Sequence, residues 1–182
     1  MSAAPRALLD ATVLDVDGAP VRLASTWAER PVVLVLLRHF GCLFCKEQAA
    51  EMSAIGDAIA GLGAGLVFVG SGSAQYAKWF QEDYAPRWPV YSDAELVTYR
   101  ALEARRGFVS SVNPRTIWLG ARAILRGFRQ GGTQGDQLQQ GAVCIVTPNG
   151  SMPYLHISEV AGDHPRPAEV LAVLGSLRTA AR

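Results

Sequence analysis

Cysteine is scarce in this chain of 182 residues: only Cys42, Cys45 and Cys144 occur. A low, odd count excludes a secreted scaffold stapled by disulfides. An excess of charge of one sign is also missing. The 17 Lys and Arg stand against 16 Asp and Glu, a formal net charge of +1. That balance gives no reason to expect nucleic acid or an anionic membrane as a partner. Long hydrophobic runs are absent too. The longest, residues 31–37 and the glycine-broken 58–70, fall short of the roughly 20 apolar residues a membrane span needs. The opening MSAAPRALLDATVLDVDG lacks a basic start followed by an apolar core. No signal peptide is therefore expected, and a cytoplasmic location is the default. No internal repeat is present.

What remains is an ordinary globular composition, 49% hydrophobic and 18% charged, sufficient for one domain with a proper core. Its punctuation alternates strand and helix signals. Residues 11–16 and 21–23 flank Asp17-Gly18 and predict a short hairpin or edge pair. Ser25 is placed to cap a helical turn through Arg30. PVVLVLL is apolar on both faces, as a central covered strand should be. The spacing at 43–62 predicts an amphipathic helix ending at Gly61-Leu62-Gly63. Residues 66–69 read as a second buried strand, with Ser73 capping a helix through Tyr84. Val90-Tyr91 is a third strand, and Asp93 is placed to cap a helix through about Ala104. The stretch from about 105 to 139 reads as an insertion. It carries Arg105, Arg106, Arg115, Arg122, Arg126 and Arg129, a helical piece at 117–128 and a Gly/Gln-rich loop. A fourth strand at 142–146, a turn at Pro148-Asn149-Gly150, a strand at 154–158 and a helix at 168–177 complete the chain. The pattern implies an α/β fold with a mixed central sheet and helices on both faces.

The chemistry concentrates in RHFGCLFCKE, residues 38–47. Three readings compete: a redox dithiol, half of a metal site, or two core hydrophobes. Cysteine is among the most buried residue types, so the core reading is real. Zinc would need two further ligands at suitable spacing. Cys144, His39, His156 and His164 form no such pattern, so no metal or other cofactor is expected. The dithiol reading places Cys42 at the first turn of a helix and Cys45 one turn on, on the same face. Free N–H groups and the helix dipole stabilise a thiolate there. Arg38, His39 and Lys46 push the same way. Spacing, position and charge together favour redox chemistry. A dithiol at the first strong strand-to-helix junction is the mark of a thioredoxin-like fold. Arg38 is the nearest cation able to stabilise charge at the attacked atom. Arg122 and Arg126 are weaker candidates. His39 is a candidate proton donor. His164 is expected to cap or pack at the last helix, Trp118 and Phe128 to be core, and Cys144 to be a small core hydrophobe within its strand.

VLVLLRHFGCLFCKEQAAEM, with GDQLQQGAVCIVTPNG and SEVAGDHP, resembles the peroxiredoxin-like branch of the alkyl hydroperoxide reductase/thiol-specific antioxidant family (AhpC/TSA). The resemblance runs from about residue 11 to 177. It implies a single thioredoxin-like domain over 1–182 and a redox-active cysteine centre. The implied partners are a peroxide or disulfide substrate and a thioredoxin-like or low-molecular-weight thiol reductant. The implied activity is a peroxiredoxin-like thiol–disulfide oxidoreductase, with a non-enzymatic redox sensor or binding module as the alternative. The motif departs from the usual peroxiredoxin Pro-x-x-x-Thr-x-x-Cys. With Cys45 as its cysteine, Arg38 replaces the proline and Cys42 the threonine. It departs from thioredoxin in lacking Trp-Cys-Gly-Pro-Cys. By analogy with thioredoxin Cys42 attacks and Cys45 resolves; by analogy with peroxiredoxin the roles reverse. The helix argument favours Cys42, nearer the helix end and expected to be the more exposed.

Overall fold

A computed structural model describes residues 2–107, 114–132 and 135–180. The chain opens with strand β1 (Ser2–Ala3) and one helical turn, α1 (Arg6–Leu9), which no sequence signal announced. Strands β2 (Thr12–Leu14) and β3 (Pro20–Arg22) form the expected antiparallel hairpin. Gly18 takes φ +85° at its turn, and the Asp15 carboxylate accepts the N–H groups of Asp17 and Ala19. The predicted helix from Ser25 is instead a 3-10 turn over Leu23–Trp27, anchored by the buried Leu23 and Trp27.

Strand β4 (Val32–Leu37) is buried along its whole length. It pairs in parallel with β5 (Gly65–Gly70), which pairs in parallel with β6 (Val90–Ser92). On its other side lies antiparallel β7 (Ala142–Val146). After the Pro148-Asn149-Gly150 turn, β8 (Ser151–Met152) pairs with β1, and β9 (Tyr154–Ile157) pairs with β7. The main sheet runs β3-β2-β6-β5-β4-β7-β9, mixed as expected.

Alternation along the strands sorts the core into two layers. Val33, Val35, Leu37, Phe68, Val143 and Ile145 share one layer with Cys42, Cys45, Met52, Ile59 and Phe80. Its helices are α2 (Leu43–Ala54), α3 (Gly56–Gly61) and α4 (Ala74–Tyr84). Val32, Leu34, Leu36, Val69 and Cys144 share the other with Leu8, Leu23, Trp27 and Tyr99. Tyr99 lies on α5 (Val97–Ala101). Each such side chain removed from water contributes about 1.5–3 kcal/mol. Helices α6 (Pro114–Leu125) and α7 (Pro167–Ala180) cover the first layer through Leu119 and Ala123, and through Val170 and Leu174.

Two predicted helices are cut short. The continuous helix at 43–62 is α2 and α3, broken at Ile55. At that break the Trp88 ring packs against Gly56, where a Cβ would collide with it. The helix predicted from Asp93 to about Ala104 shrinks to α5, because Leu96 and Glu103 take positive φ at its two ends. Asp93 still serves as anchor, its carboxylate accepting from the N–H groups of Val97 and Thr98. Ser73 occupies the N-cap of α4, but its hydroxyl makes no capping bond.

Candidate active site

The site forms where β4 ends. Tyr99 reaches under the sheet and donates its hydroxyl to the Leu37 carbonyl, fixing the end of the strand. The chain then turns through Arg38, His39, Phe40 and Gly41 into α2. Cys42 occupies the N-cap of that helix rather than its first turn, with extended φ −73° and ψ 129°. Its carbonyl accepts from the N–H groups of Cys45 and Lys46, at 3.1 and 3.2 Å. Gln130 supplies the side-chain cap the helix would otherwise lack, accepting the Leu43 N–H at 3.2 Å.

Arg38 contacts both thiols. Its main-chain N–H donates to Cys45 Sγ at 3.2 Å, and its guanidinium Nη1 lies 3.5 Å from Cys42 Sγ. The rest of the guanidinium is clamped: Nε donates to the Gln139 carbonyl and Nη2 to that of Gln137. The Ser71 hydroxyl holds the Arg38 carbonyl. None of these three residues was singled out from the sequence. The only hint was that the Gly/Gln-rich loop runs directly into the β7 strand beside β4.

The pair is electrostatically unequal. A hydrogen bond from the Cys45 thiol lowers the Cys42 pKa to about 6 against the opposing effect of burial, and Arg38 with the helix N–H groups adds to the lowering. Burial, reinforced by that shared proton, raises Cys45 well above an ordinary thiol. The arrangement favours a Cys42 thiolate beside a Cys45 thiol. The expectation that Cys42 is the more exposed fails: the two are 1% and 2% exposed. The loop after α6 closes over the turn, with the Gly131 N–H on the Gly41 carbonyl. A Cβ at Gly41 would strike the Gly132 carbonyl, so only glycine admits this cover.

Of the remaining candidates, His39 reaches Cys45 through its main chain and His164 lines the small cavity beside Cys45. His39 is buried, and that burial, with Arg38 beside it, lowers its pKa to about 4. It is thus neutral at physiological pH and is no imidazolium donor. Arg122 and Arg126 do not face the thiols. Arg126 bridges Glu47 and Glu51 of α2 at 2.5 and 2.6 Å, and Arg122 reaches Glu47 at 3.5 Å. Glu47 is buried and explains their direction, since a buried carboxylate must be paired. His164, just before α7, pairs with Glu51 Oε2 at 3.2 Å. Trp118 lies in solvent, not in the core, whereas Phe128 is half-buried against it. Cys144 sits on the opposite face of the sheet, opposite Leu34 of β4 in register, with burial holding its pKa at about 12. It cannot meet the pair without unfolding. Among the described residues, no three or more His, Cys, Asp or Glu side chains are grouped to hold a metal ion.

The family model described as AhpC/TSA antioxidant enzyme matches residues 51–160. A chloroplastic thioredoxin-like protein of Arabidopsis thaliana is 31% identical over 87% of this chain and 68% of its own length. The chain belongs to the AhpC/TSA family. Its relatives include a prostamide/prostaglandin F synthase of Salmo salar, 32% identical over 82% of this chain and 76% of that one. A peroxiredoxin-like 2C protein of Bos taurus is 26% identical over 93% of this chain and 78% of its own. The fold matches that of the peroxidoxin BcpB of Mycobacterium tuberculosis with a TM-score of 0.69, at 17% identity over 97% and 99% of the two chains. The function that goes with the family is that of an antioxidant thiol oxidoreductase. Its model begins after α2 has started, so Cys42 and Cys45 lie outside the matched residues.

Proposed function

We propose that the chain works by cycling Cys42 and Cys45 between dithiol and disulfide, with Cys42 attacking, Cys45 resolving and Arg38 stabilising the charge. The observation that carries this reading is the hydrogen-bonded thiol pair with Arg38 against both sulfurs, in which the shared proton lowers Cys42 and burial raises Cys45. With a peroxide, the Cys42 thiolate takes one oxygen as the O–O bond breaks. The departing alkoxide takes a proton from water, and Cys42 becomes a sulfenic acid. Cys45 then attacks that sulfur: the S–S bond forms, the S–O bond breaks, and the Cys45 proton leaves with the oxygen as water. With a disulfide substrate, Cys42 displaces one sulfur and Cys45 releases the product as the second thiol. A thioredoxin-like protein or a low-molecular-weight thiol returns the two electrons.

Trapping tests the roles. A Cys45→Ser variant treated with hydrogen peroxide and dimedone should carry the adduct at Cys42, located by mass spectrometry. A Cys42→Ser variant should carry none at Cys45. An adduct on Cys45 reverses the assignment, and full retention of both thiols in the wild-type chain refutes the cycle.

The near-complete burial of both sulfurs favours a second reading, a redox sensor that oxidises slowly and presents one state to a partner. Sustained peroxide consumption with a thioredoxin system marks the enzyme; a single oxidation without turnover marks the sensor.

A further inference from the structure

Helix α6 turns the usual pattern outward. Leu119 and Ala123 face the core, while Ile117, Trp118, Ile124 and Leu125 are 61–88% exposed. Spaced at i, i+1, i+7 and i+8, these four form one continuous stripe along the helix. Elsewhere among the described residues the exposed large hydrophobics are Leu14, Trp79 and Leu155, one to an element. Scattered apolar residues need no explanation, but four on two turns of one helix do.

The charge around the stripe says what covers it. From Ala104 to Gly135 the chain carries Arg105, Arg106, Arg115, Arg122, Arg126 and Arg129 and not one Asp or Glu. Glu47 and Glu51 of α2 account for Arg122 and Arg126, Glu159 for Arg105 and Asp136 for Arg106. Arg129 remains exposed just beyond the helix, and the Lys46 ammonium sits on its carbonyl at 3.1 Å. The whole-chain balance conceals this local excess. No described helix is long and apolar enough to cross a membrane. A helix of 12 residues with an apolar stripe, no Asp or Glu of its own and the exposed Arg129 just beyond it has the character of one that lies along a bilayer.

We infer that α6 docks the protein on anionic lipid, with Ile117, Trp118, Ile124 and Leu125 among the acyl chains and Arg129 and Lys46 at the headgroups. A second copy fits less well. A twofold contact would set this stripe against itself and offer the exposed Arg129 of each copy no carboxylate, since α6 carries no Asp or Glu. Docking of this kind does not depend on the sulfur chemistry, and a chain that failed every redox test would still bind.

Co-sedimentation with vesicles tests it. The full chain should pellet with vesicles of phosphatidylcholine mixed with phosphatidylglycerol, at least about ten-fold more tightly than with phosphatidylcholine alone. Raised salt should release it. A Trp118→Ser, Leu125→Ser double variant should stay in the supernatant. Arg129→Ser should bind about five-fold more weakly to anionic vesicles only. All substituted residues are exposed, and circular dichroism checks that each variant folds. Equal pelleting by wild-type and double variant overturns the proposal. So does a wild-type dimer in solution that fails to pellet and becomes monomeric in the double variant, for the stripe is then a subunit interface.

Discussion

The Arg38 guanidinium lies 3.5 Å from Cys42 Sγ, held there by the carbonyls of Gln137 and Gln139. The cation and the thiolate end of the dithiol thus come from one turn of chain, while the restraint on the cation comes from a loop about a hundred residues downstream. A clamped guanidinium contributes more than a mobile one, because its orientation is set before charge develops.

The pH dependence of alkylation should report this geometry. The rate of Cys42 modification by iodoacetamide should rise with pH through a midpoint of about 6 and level off above it, as the thiolate forms. Arg38→Gln should move the midpoint up by about one unit, equivalent to about 1.4 kcal/mol. Cys45→Ala should move it further, since the Cys45 hydrogen bond is the larger cause of the lowering. Unchanged midpoints in both variants would mean that neither group sets the thiolate.

Acid should unfold the α2–α6 junction first. The Glu51 carboxyl is lowered from 4.5 to about 2, by His164 first and then by Arg126. A carboxyl depressed on folding contributes stability that is full above its unfolded pKa and is lost as pH falls through the folded one. The loss should therefore fall between pH 4.5 and 2. Because Glu51 is only partly buried, the contribution is about 1 kcal/mol. Urea denaturation across that window should show a steeper decline for the wild-type chain than for Glu51→Gln.

Replacing Cys144 should separate stability from redox chemistry. Cys144→Ala trims a fully buried side chain in β7 and should cost about 1–2 kcal/mol by chemical denaturation. Peroxide should still remove two thiols, because the sheet lies between Cys144 and the pair. Loss of the two-thiol change in this variant would give Cys144 a part in the cycle.

Much of the molecule was legible in its residues. PVVLVLL read as a covered strand, because both of its faces are apolar and both need a layer of helices. The Cys-x-x-Cys spacing and the flanking Arg38 followed from the strand-to-helix junction, which is local chemistry. The tertiary structure decided what depends on distant chain. Trp88 packs on Gly56 where the predicted helix breaks. Gln130, Gln137, Gln139 and Gly132 came from the other end of the sequence to cap, clamp and cover the site. The buried Glu47 drew Arg122 and Arg126 away from the sulfurs. Arg38, next to the cysteines in sequence, stayed with the thiols, whereas for the distant Arg122 and Arg126 a buried carboxylate competed for the cations. That competition, like the outward turn of Trp118, is settled by which face of each helix the sheet covers.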